Sequence, residues 1–184
     1  MGNAGEPVSI QRISDANKDE FARIHAGDNA WCQCVAWWVP NWDGWAQRTA
    51  EQNAELRAQL FSSGVRDGFL IYAGPQLVGW CQAWKRNAFS NIRTKFGLPH
   101  DDAAWMIGCV LIMREFRGRG IARSALKQIT AELAQLGARS IDAYPKRQVH
   151  GDDELWNGPE STYLELGFKV VLDDPKRPVL RLSM

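Results

Sequence analysis

The chain has 184 residues, a length that suits one domain with a sizeable hydrophobic core. Its 22 Lys and Arg residues against 21 Asp and Glu residues give a formal net charge of +1, so it lacks the basic excess of nucleic-acid-binding proteins. No apolar run approaches the roughly 20 residues that cross a bilayer, and no signal peptide opens the sequence. We therefore expect a soluble, cytoplasmic protein of one domain that binds neither nucleic acid nor membrane.

The N-terminal third combines an ordinary α/β pattern with an unusual density of tryptophan. The pattern predicts a strand over 8–13, a helix over about 17–27, a possible strand over 31–38 and a helix over 45–62. Five of the nine tryptophans fall within this region, at Trp31, Trp37, Trp38, Trp42 and Trp45. Most are expected to be core side chains, with one or two available to face a ligand.

From residue 68 onward the predicted strands and helices are clearer. Apolar runs over 68–73 and 76–84, separated by Gly74-Pro75, predict a β-hairpin. The apolar run over 103–113 predicts a buried central strand, and apolar residues at helical spacing over 122–136 predict an amphipathic helix that ends at Gly137. The remaining elements are a strand over 139–144, a polar loop over 148–159, a helix over 160–166 and strands over 168–172 and 179–182. The whole pattern is typical of a mixed α/β protein.

The four cysteines, Cys32, Cys34, Cys81 and Cys109, are too few and too scattered for a disulfide framework. In a strand over 31–38, Cys32 and Cys34 would place both thiols on one face. A zinc site needs two further ligands, and the other Cys and His residues show no metal-binding spacing. We expect free thiols and no bound metal, with a thiol-based metal or redox protein as a minor alternative.

The basic turn between the central strand and the amphipathic helix has the features of an anion site. Gly118 and Gly120 let the chain turn sharply, and the helix that follows begins with N–H groups that lack helical partners. Arg119 and Arg123 can add positive charge from the side. An anion such as a phosphate group is therefore expected at the positive end of the helix dipole.

The order of elements around this turn resembles that of the GCN5-related N-acetyltransferase (GNAT) superfamily. The acetyl-CoA loop of that superfamily has the pattern Q/R-x-x-G-x-G/A, which is matched by Arg117, Gly120 and Ala122. A later motif, a Tyr four residues before a Gly-Phe pair, is matched by Tyr163, Gly167 and Phe168. Further short motifs resemble an uncharacterised bacterial branch of the superfamily, namely Cys32-x-Cys34, Gly79-Trp80-Cys81 and Ala143-Tyr144-Pro145.

The resemblance covers about 68–168 and implies a fold, while the N-terminal third matches only loosely. The implied fold is α/β (α+β): a mixed, mostly antiparallel sheet flanked by helices and splayed at the acetyl-CoA site. Within one acetyltransferase domain over 1–184, the part over 67–184 would bind acetyl-CoA. The part over 1–66 would lie on the acceptor side.

The resemblance also implies acetyl-CoA as co-substrate, bound mainly by two backbone segments. Its pyrophosphate would lie on the turn formed by Arg117, Gly118, Arg119, Gly120, Ile121 and Ala122, with Arg123 adding charge. Its pantetheine arm would pair with the central strand around Val110, Leu111 and Ile112. A backbone N–H there would hold the thioester carbonyl, as in an oxyanion hole.

Tyr163 matches the superfamily's general acid, which protonates the departing thiolate, and a phenol with a pKa near 10 suits that role. Some members carry a catalytic glutamate early in the central strand, where this chain has Met106. Asp142, on the strand after the amphipathic helix, is a candidate for the general base. Other carboxylates that are candidates by chain position are Asp101, Asp102 and the acidic loop residues Asp152, Asp153 and Glu154.

The acceptor is expected to be a primary amine of a small molecule or a peptide, attacked directly in a ternary complex. Trp31, Trp38 and Trp156 are assigned to its pocket, because aromatic side chains bind apolar, aromatic and cationic groups. Members of the superfamily often form homodimers, so a dimer is possible here. The missing strand carboxylate leaves open a second class, a regulatory module that binds acyl-CoA without catalysis.

Overall fold

A computed structural model describes residues 6–27, 30–149, 151 and 156–184. The strands are β1 (Val8–Arg12), β2 (Gly68–Ala73), β3 (Gln76–Lys85), β4 (Ala104–Ile112), β5 (Ser140–Ala143), β6 (Lys169–Leu172) and β7 (Val179–Ser183). The α-helices are α1 (Lys18–Ile24), α2 (Ala50–Ser62), α3 (Ser90–Phe96), α4 (Ile121–Gln135) and α5 (Glu160–Glu165).

The strands of the described residues form one sheet in the order β1-β2-β3-β4-β5-β7-β6. Every neighbouring pair is antiparallel except β4 and β5, which are parallel. A parallel pair needs a crossover connection, which the segment containing α4 supplies. The predicted fold class is therefore confirmed, and so is the predicted hairpin of β2 and β3.

The sheet opens in the middle because β4 extends past β5. The two strands pair from Ala104 opposite Ser140 to Ile107 opposite Ala143. Strand β4 then continues to Ile112 without β5. On its other side β4 has a bulge, where two residues stand opposite the single Gln82 of β3. Among the described residues, no strand pairs with β4 on the β5 side beyond Ile107.

Helices cover both faces of the sheet. Helix α4 contributes Ala125, Leu126, Ile129 and Leu133 to one buried cluster, which also contains Ile107 and Val110 of β4. On the opposite face, Phe21 and Ile24 of α1 share a second cluster with Trp80 and Cys109. No helix in the described ranges combines the length and apolar character of a membrane span.

The predicted strand over 31–38 is wrong, because this segment is a series of turns. Gln33 and Cys34 have positive φ values of 47° and 48°, which end any extended run. Buried Arg57 donates to the carbonyl oxygens of both residues at 3.0 and 2.8 Å and pairs with buried Asp67 at 2.6 Å. Bonds from a distant arginine thus replace a strand ladder, and Cys32 and Cys34 do not share a strand face.

Helix α3 is the element that the sequence prediction missed. It lies between the predicted hairpin and the predicted central strand, where the sequence analysis places no element. Its seven residues include only two buried apolar side chains, Ile92 and Phe96. Two positions are too few to reveal a helical period.

Candidate active site

The basic turn begins with a short 3-10 helix, Arg114–Phe116, and ends at α4. Gly118 and Gly120 both have left-handed φ values, 73° and 75°, which favour glycine. The first hydrogen bond of the α4 ladder runs from Ser124 N–H to Gly120 O at 3.0 Å. The N–H groups of the preceding helical residues, Ile121 to Arg123, therefore point out of the helix without helical partners.

Three arginines surround this turn in different ways. Arg117 Nε donates to Ile112 O at 3.0 Å, which fastens the turn to the end of β4. Arg119 is exposed and donates to the carbonyl of Glu115 rather than to a carboxylate. Arg123 forms an exposed ion pair with Glu165 at 3.3 Å, and such pairs are weak. Positive charge therefore remains available beside the free N–H groups.

The loop after β5 occupies the open edge of β4. Val110 N–H donates to the carbonyl oxygen of Trp156 at 2.7 Å. The side-chain amide of Asn157 donates to Gly108 O at 2.5 Å. Val110 N–H, one of the backbone groups in the segment predicted to hold the thioester carbonyl, thus has a protein partner in this structure.

Tyr163 lies on α5 and is fully buried. Its hydroxyl donates to the backbone carbonyl of Asn157 at 2.6 Å. Burial raises the pKa of Tyr163 well above its usual value, and the nearby Cys81 and Cys109 thiols act in the same direction. Tyr163 therefore remains a protonated donor at neutral pH, and the same loop that covers Val110 N–H binds its hydroxyl.

Asp142, the predicted base, is the centre of a buried ion-pair network. Its Oδ1 accepts from Arg181 Nε at 2.6 Å, and its Oδ2 accepts from Arg86 Nη1 at 2.7 Å and Arg181 Nη2 at 2.9 Å. The side chains of Asp142 and Arg86 are almost inaccessible to solvent. These contacts do not favour Asp142 as a general base, and that role stays a prediction.

The other predicted carboxylates divide into two groups. Asp101 and Asp102 precede the start of β4 at Ala104. Val110 lies six residues farther along the strand, a distance of about 20 Å at about 3.3 Å per residue. Asp102 is also 90% exposed. The structure does not bring this pair to the open edge of β4. Asp152, Asp153 and Glu154 lie outside the described residues.

The three tryptophans assigned to the acceptor pocket lie in different surroundings. Trp31 is exposed and donates its indole N–H to Arg48 O at 2.8 Å, near the start of α2. Trp38 is half-buried and donates to Asp67 Oδ2 at 2.7 Å. Trp156 alone of the three contacts the open edge of β4, through its carbonyl group. Its ring is exposed to solvent over part of its surface.

Trp37 was not assigned to the acceptor pocket, but its ring packs against β4 at Gly108. A Cβ placed on Gly108 would lie 2.8 Å from Trp37 Cδ1 and 2.7 Å from Gln82 Oε1. Gly108 therefore permits the close approach of these two side chains to β4. The ring of Trp37 also lies 5.8 Å from that of Trp156. A tryptophan from the N-terminal segment and one from the late loop thus meet at the bulge of β4.

Arg177, on the connection between β6 and β7, is a second residue that sequence reasoning missed. Its Nη1 donates to Asn157 Oδ1 at 2.5 Å and to Tyr144 O at 2.9 Å. Its guanidinium lies over the rings of Trp156 and Trp37, at 5.4 and 5.9 Å. Nothing local in the sequence marks this arginine, because its partners come from three distant segments.

The cysteines are free thiols in buried or half-buried positions. His25 Nδ1 donates to Phe21 O at 3.0 Å, which leaves Nε2 to accept from Cys34 Sγ at 3.1 Å. A hydrogen bond with Cys109, together with burial, raises the pKa of Cys34 well above its usual value. Burial likewise raises the pKa of Cys32 to about 12. Protonated thiols are weak nucleophiles and weak metal ligands, and no metal-binding group of three or more side chains occurs among the residues described.

The sequence matches a known protein family, and the fold matches that of solved structures. Residues 31–152 match the acetyltransferase (GNAT) family. Comparison with curated proteins gave no match.

Solved structures with this fold include an uncharacterized protein from Bacillus halodurans, with 14% identity, coverage of 97% of this chain and 84% of that chain, and a TM-score of 0.62. Aminoglycoside acetyltransferase AAC(6')-Ib, in complex with coenzyme A, has 12% identity, coverage of 96% and 95%, and a TM-score of 0.61. YncA from Salmonella typhimurium, with its cofactor acetyl-CoA, has 13% identity, coverage of 96% and 93%, and a TM-score of 0.57. These likenesses establish the fold, and the family match spans more than half of the sequence. The chain belongs to the acetyltransferase (GNAT) family.

Proposed function

We propose that this acetyltransferase transfers the acetyl group of acetyl-CoA to a primary amine, by direct attack within a ternary complex. One observation supports this most strongly: the basic turn directly follows the part of β4 that β5 leaves uncovered, where Val110 N–H and Tyr163 OH contact the same loop. A phosphate site, an oxyanion donor and an acid therefore lie in the order that an acyl-CoA needs.

The residues of this cleft fit acetyl-CoA. A Cβ at Gly118 or Gly120 would meet no atom within 4 Å, so the space above the turn is open to a pyrophosphate. The amides from Gly118 to Arg123 would hold its oxygens, and the edge of β4 from Gly108 to Ile112 would pair with the pantetheine amides. Acetyl-CoA, when bound, would supply the activated acetyl group.

The residues of the chain would then act on the two ends of the reacting bond. Val110 N–H would hold the thioester oxygen, and Tyr163 would give its proton to the departing thiolate sulfur. The amine must arrive neutral. Because the contacts of Asp142 do not favour it as a base, we propose that the amine loses its proton to water.

The reaction itself is tested by titrating the protein with acetyl-CoA and measuring CoA release over a panel of primary amines. We expect binding and amine-dependent release, with an N-acetyl product identified by mass spectrometry. Binding without release on any amine would instead support the regulatory module, and an O-acetyl product would contradict the proposed acceptor class.

Gly120→Val should weaken acetyl-CoA binding by about 10-fold or more, because the side chain would enter the pyrophosphate space and disturb charge-assisted bonds. Gly137→Val is a matched control, since Gly137 also has a positive φ and open surroundings but lies at the other end of α4. Calorimetric titration of both variants measures the difference. Equal losses of affinity would show that backbone strain, and not the anion site, is responsible.

We also propose that acetyl-CoA displaces the loop from β4, because Trp156 O and the thioester oxygen compete for Val110 N–H. The same movement would free the Tyr163 hydroxyl from Asn157 O. Asn157→Ala removes two side-chain bonds that hold the loop, to Gly108 O and from Arg177. It should therefore tighten acetyl-CoA binding by about 5-fold, which corresponds to one net hydrogen bond.

The control for this variant is Asn91→Ala, a buried asparagine on α3 that bonds to Ala36 O. Calorimetry should give this control an unchanged affinity for acetyl-CoA. Weaker binding by Asn157→Ala would mean that Asn157 holds the donor instead of competing with it.

A further inference from the structure

We propose that the amine acceptor carries a carboxylate close to its amino group, and that Arg177 binds this carboxylate. The inference rests on the proposed function, since it concerns the acceptor side of the same site. The proposed substrate class therefore consists of amino acids and of other molecules with the same arrangement of amine and carboxylate.

The first support is the geometry of the Arg177 side chain. Its two Nη1 donors are satisfied by Asn157 Oδ1 and Tyr144 O, and its Cζ lies 5.9 and 5.4 Å from the ring centroids of Trp37 and Trp156. Nε and Nη2 have no hydrogen-bond acceptor within the part of the chain that the structure describes. Their three N–H groups form one side of a rigid fork, the arrangement that binds a carboxylate through two parallel hydrogen bonds.

The second support is that this cation has no ion-pair partner among residues 6–27, 30–149, 151 and 156–184. Buried Arg57 contacts Asp67 at 2.6 Å, and buried Arg86 contacts Asp142 at 2.7 Å. Near Arg177, the Asp174 carboxylate accepts from the backbone N–H groups of residues 176 and 177, not from the guanidinium. Burial lowers the pKa of Arg177, because desolvation outweighs the attraction of Asp174. A desolvated charge of this kind is stabilised when an anion binds to it.

The third support is the position of Arg177 relative to the reacting atoms. Asn157 contacts Arg177 through its side-chain oxygen and Gly108 O through its side-chain nitrogen. Trp156, which lies against the guanidinium, contacts Val110 N–H. Arg177 also donates to Tyr144 O, next to the pair formed by Ala143 and Ile107 at the end of β5, and this contact does not depend on the loop that acetyl-CoA would displace. A carboxylate at Arg177 would therefore place an amine on the same small molecule near the thioester carbon.

The positive charge of Arg177 also disfavours the binding of some acceptors. A polycationic amine would bring a second positive group toward Arg177, whereas an amino acid offers one charge of each sign. In addition, a cation beside the acceptor favours the neutral form of the amine, which is the form that attacks. The proposed substrate class of this chain thus differs from that of acetyltransferases whose acceptors carry several positive charges.

The test compares free amino acids with their carboxamides and with the corresponding decarboxylated amines. We expect kcat/KM to be about 10- to 100-fold higher for the acids, the ratio of one charge-assisted hydrogen-bond pair. Arg177→Gln should remove this preference mainly through KM, and Arg177→Lys should restore part of it. The affinity for acetyl-CoA should change less than about 2-fold in the Lys variant. Arg23→Gln, an exposed arginine on α1, is the control.

Equal use of acids and carboxamides by the wild-type protein would overturn the inference and leave the proposed function intact. If no amine is acetylated, the proposed function fails, and the acceptor site is tested separately by calorimetry of amino acids and carboxamides on the CoA-loaded protein. Tighter binding of the acids that is lost in Arg177→Gln would still support the carboxylate site, and equal or absent binding would overturn it.

Discussion

Asp142→Asn should lower the free energy of unfolding by about 3–5 kcal/mol, which is the range for removing one partner of a buried ion pair. The substitution keeps the shape of the side chain but removes the negative charge that faces Arg86 and Arg181. Arg86 would remain desolvated with no counter-ion among its described neighbours. Urea denaturation followed by tryptophan fluorescence measures the change.

Asp173→Asn is the matched control, because Asp173 pairs with Arg147 but is 76% exposed. Exposed pairs contribute little, so the unfolding midpoint of this variant should move only slightly. A folded, stable but inactive Asp142→Asn protein would contradict the structural role that we assign and would support the base that the sequence predicted. A variant that is unstable yet active per folded molecule would fit the ion-pair network.

Tyr163→Phe should lower kcat by about 10²- to 10⁴-fold, the usual contribution of a positioned general acid. The affinity for acetyl-CoA should not fall, because the hydroxyl contacts Asn157 O and not the turn that we propose to bind the pyrophosphate. Steady-state kinetics with a thiol reagent, together with calorimetry, separates the two quantities. Unchanged kcat would show that Tyr163 is only a core residue on α5.

The pH dependence of the activity is a second test of Tyr163 as the general acid. Since burial raises the pKa of Tyr163 well above its usual value, the phenol stays protonated through neutral and mildly alkaline pH. Activity should therefore rise with pH as the acceptor amine loses its proton, without a falling limb below about pH 10. A bell-shaped profile with its falling limb near pH 8 would contradict this assignment.

Tyr72→Phe is the control for the removal of a hydroxyl. Tyr72 lies on β2, and its hydroxyl donates to Glu20 on α1, on the face of the sheet opposite α4. The variant should retain the kcat of the wild-type protein. A comparable loss of kcat would mean that the effect of Tyr163→Phe comes from general destabilisation.

Much of the fold was predictable because its signals are local. The apolar run of β4, the helical spacing of Ala125, Leu126, Ile129 and Leu133 in α4, and the glycines of the turn are all visible within short windows. Helix α2 likewise begins with a capping box, in which Thr49 and Gln52 exchange hydrogen bonds three residues apart. Periodicity and turn chemistry fix such elements before any distant contact forms.

The candidate site was predictable only in part. The turn and Tyr163 matched a motif, whereas the roles of Asp142 and of the tryptophans depended on their partners. The segment over 31–38 is rich in aromatic residues that favour strands, yet Arg57 and Gln82 hold it in turns through the carbonyl of Cys34. Buried hydrogen bonds from distant side chains outweighed the local preference.

The sequence by itself determined the order of elements, the family resemblance and the place of the glycine-rich basic turn. Only the tertiary structure decided that Asp142 pairs with arginines 56 and 39 residues away, that Trp156 covers Val110, and that Arg177 lies over a pair of neighbouring tryptophans. The physical reason is that backbone periodicity acts over a few residues. The charge balance and hydrogen bonding of a buried group depend on whichever segments the fold brings beside it.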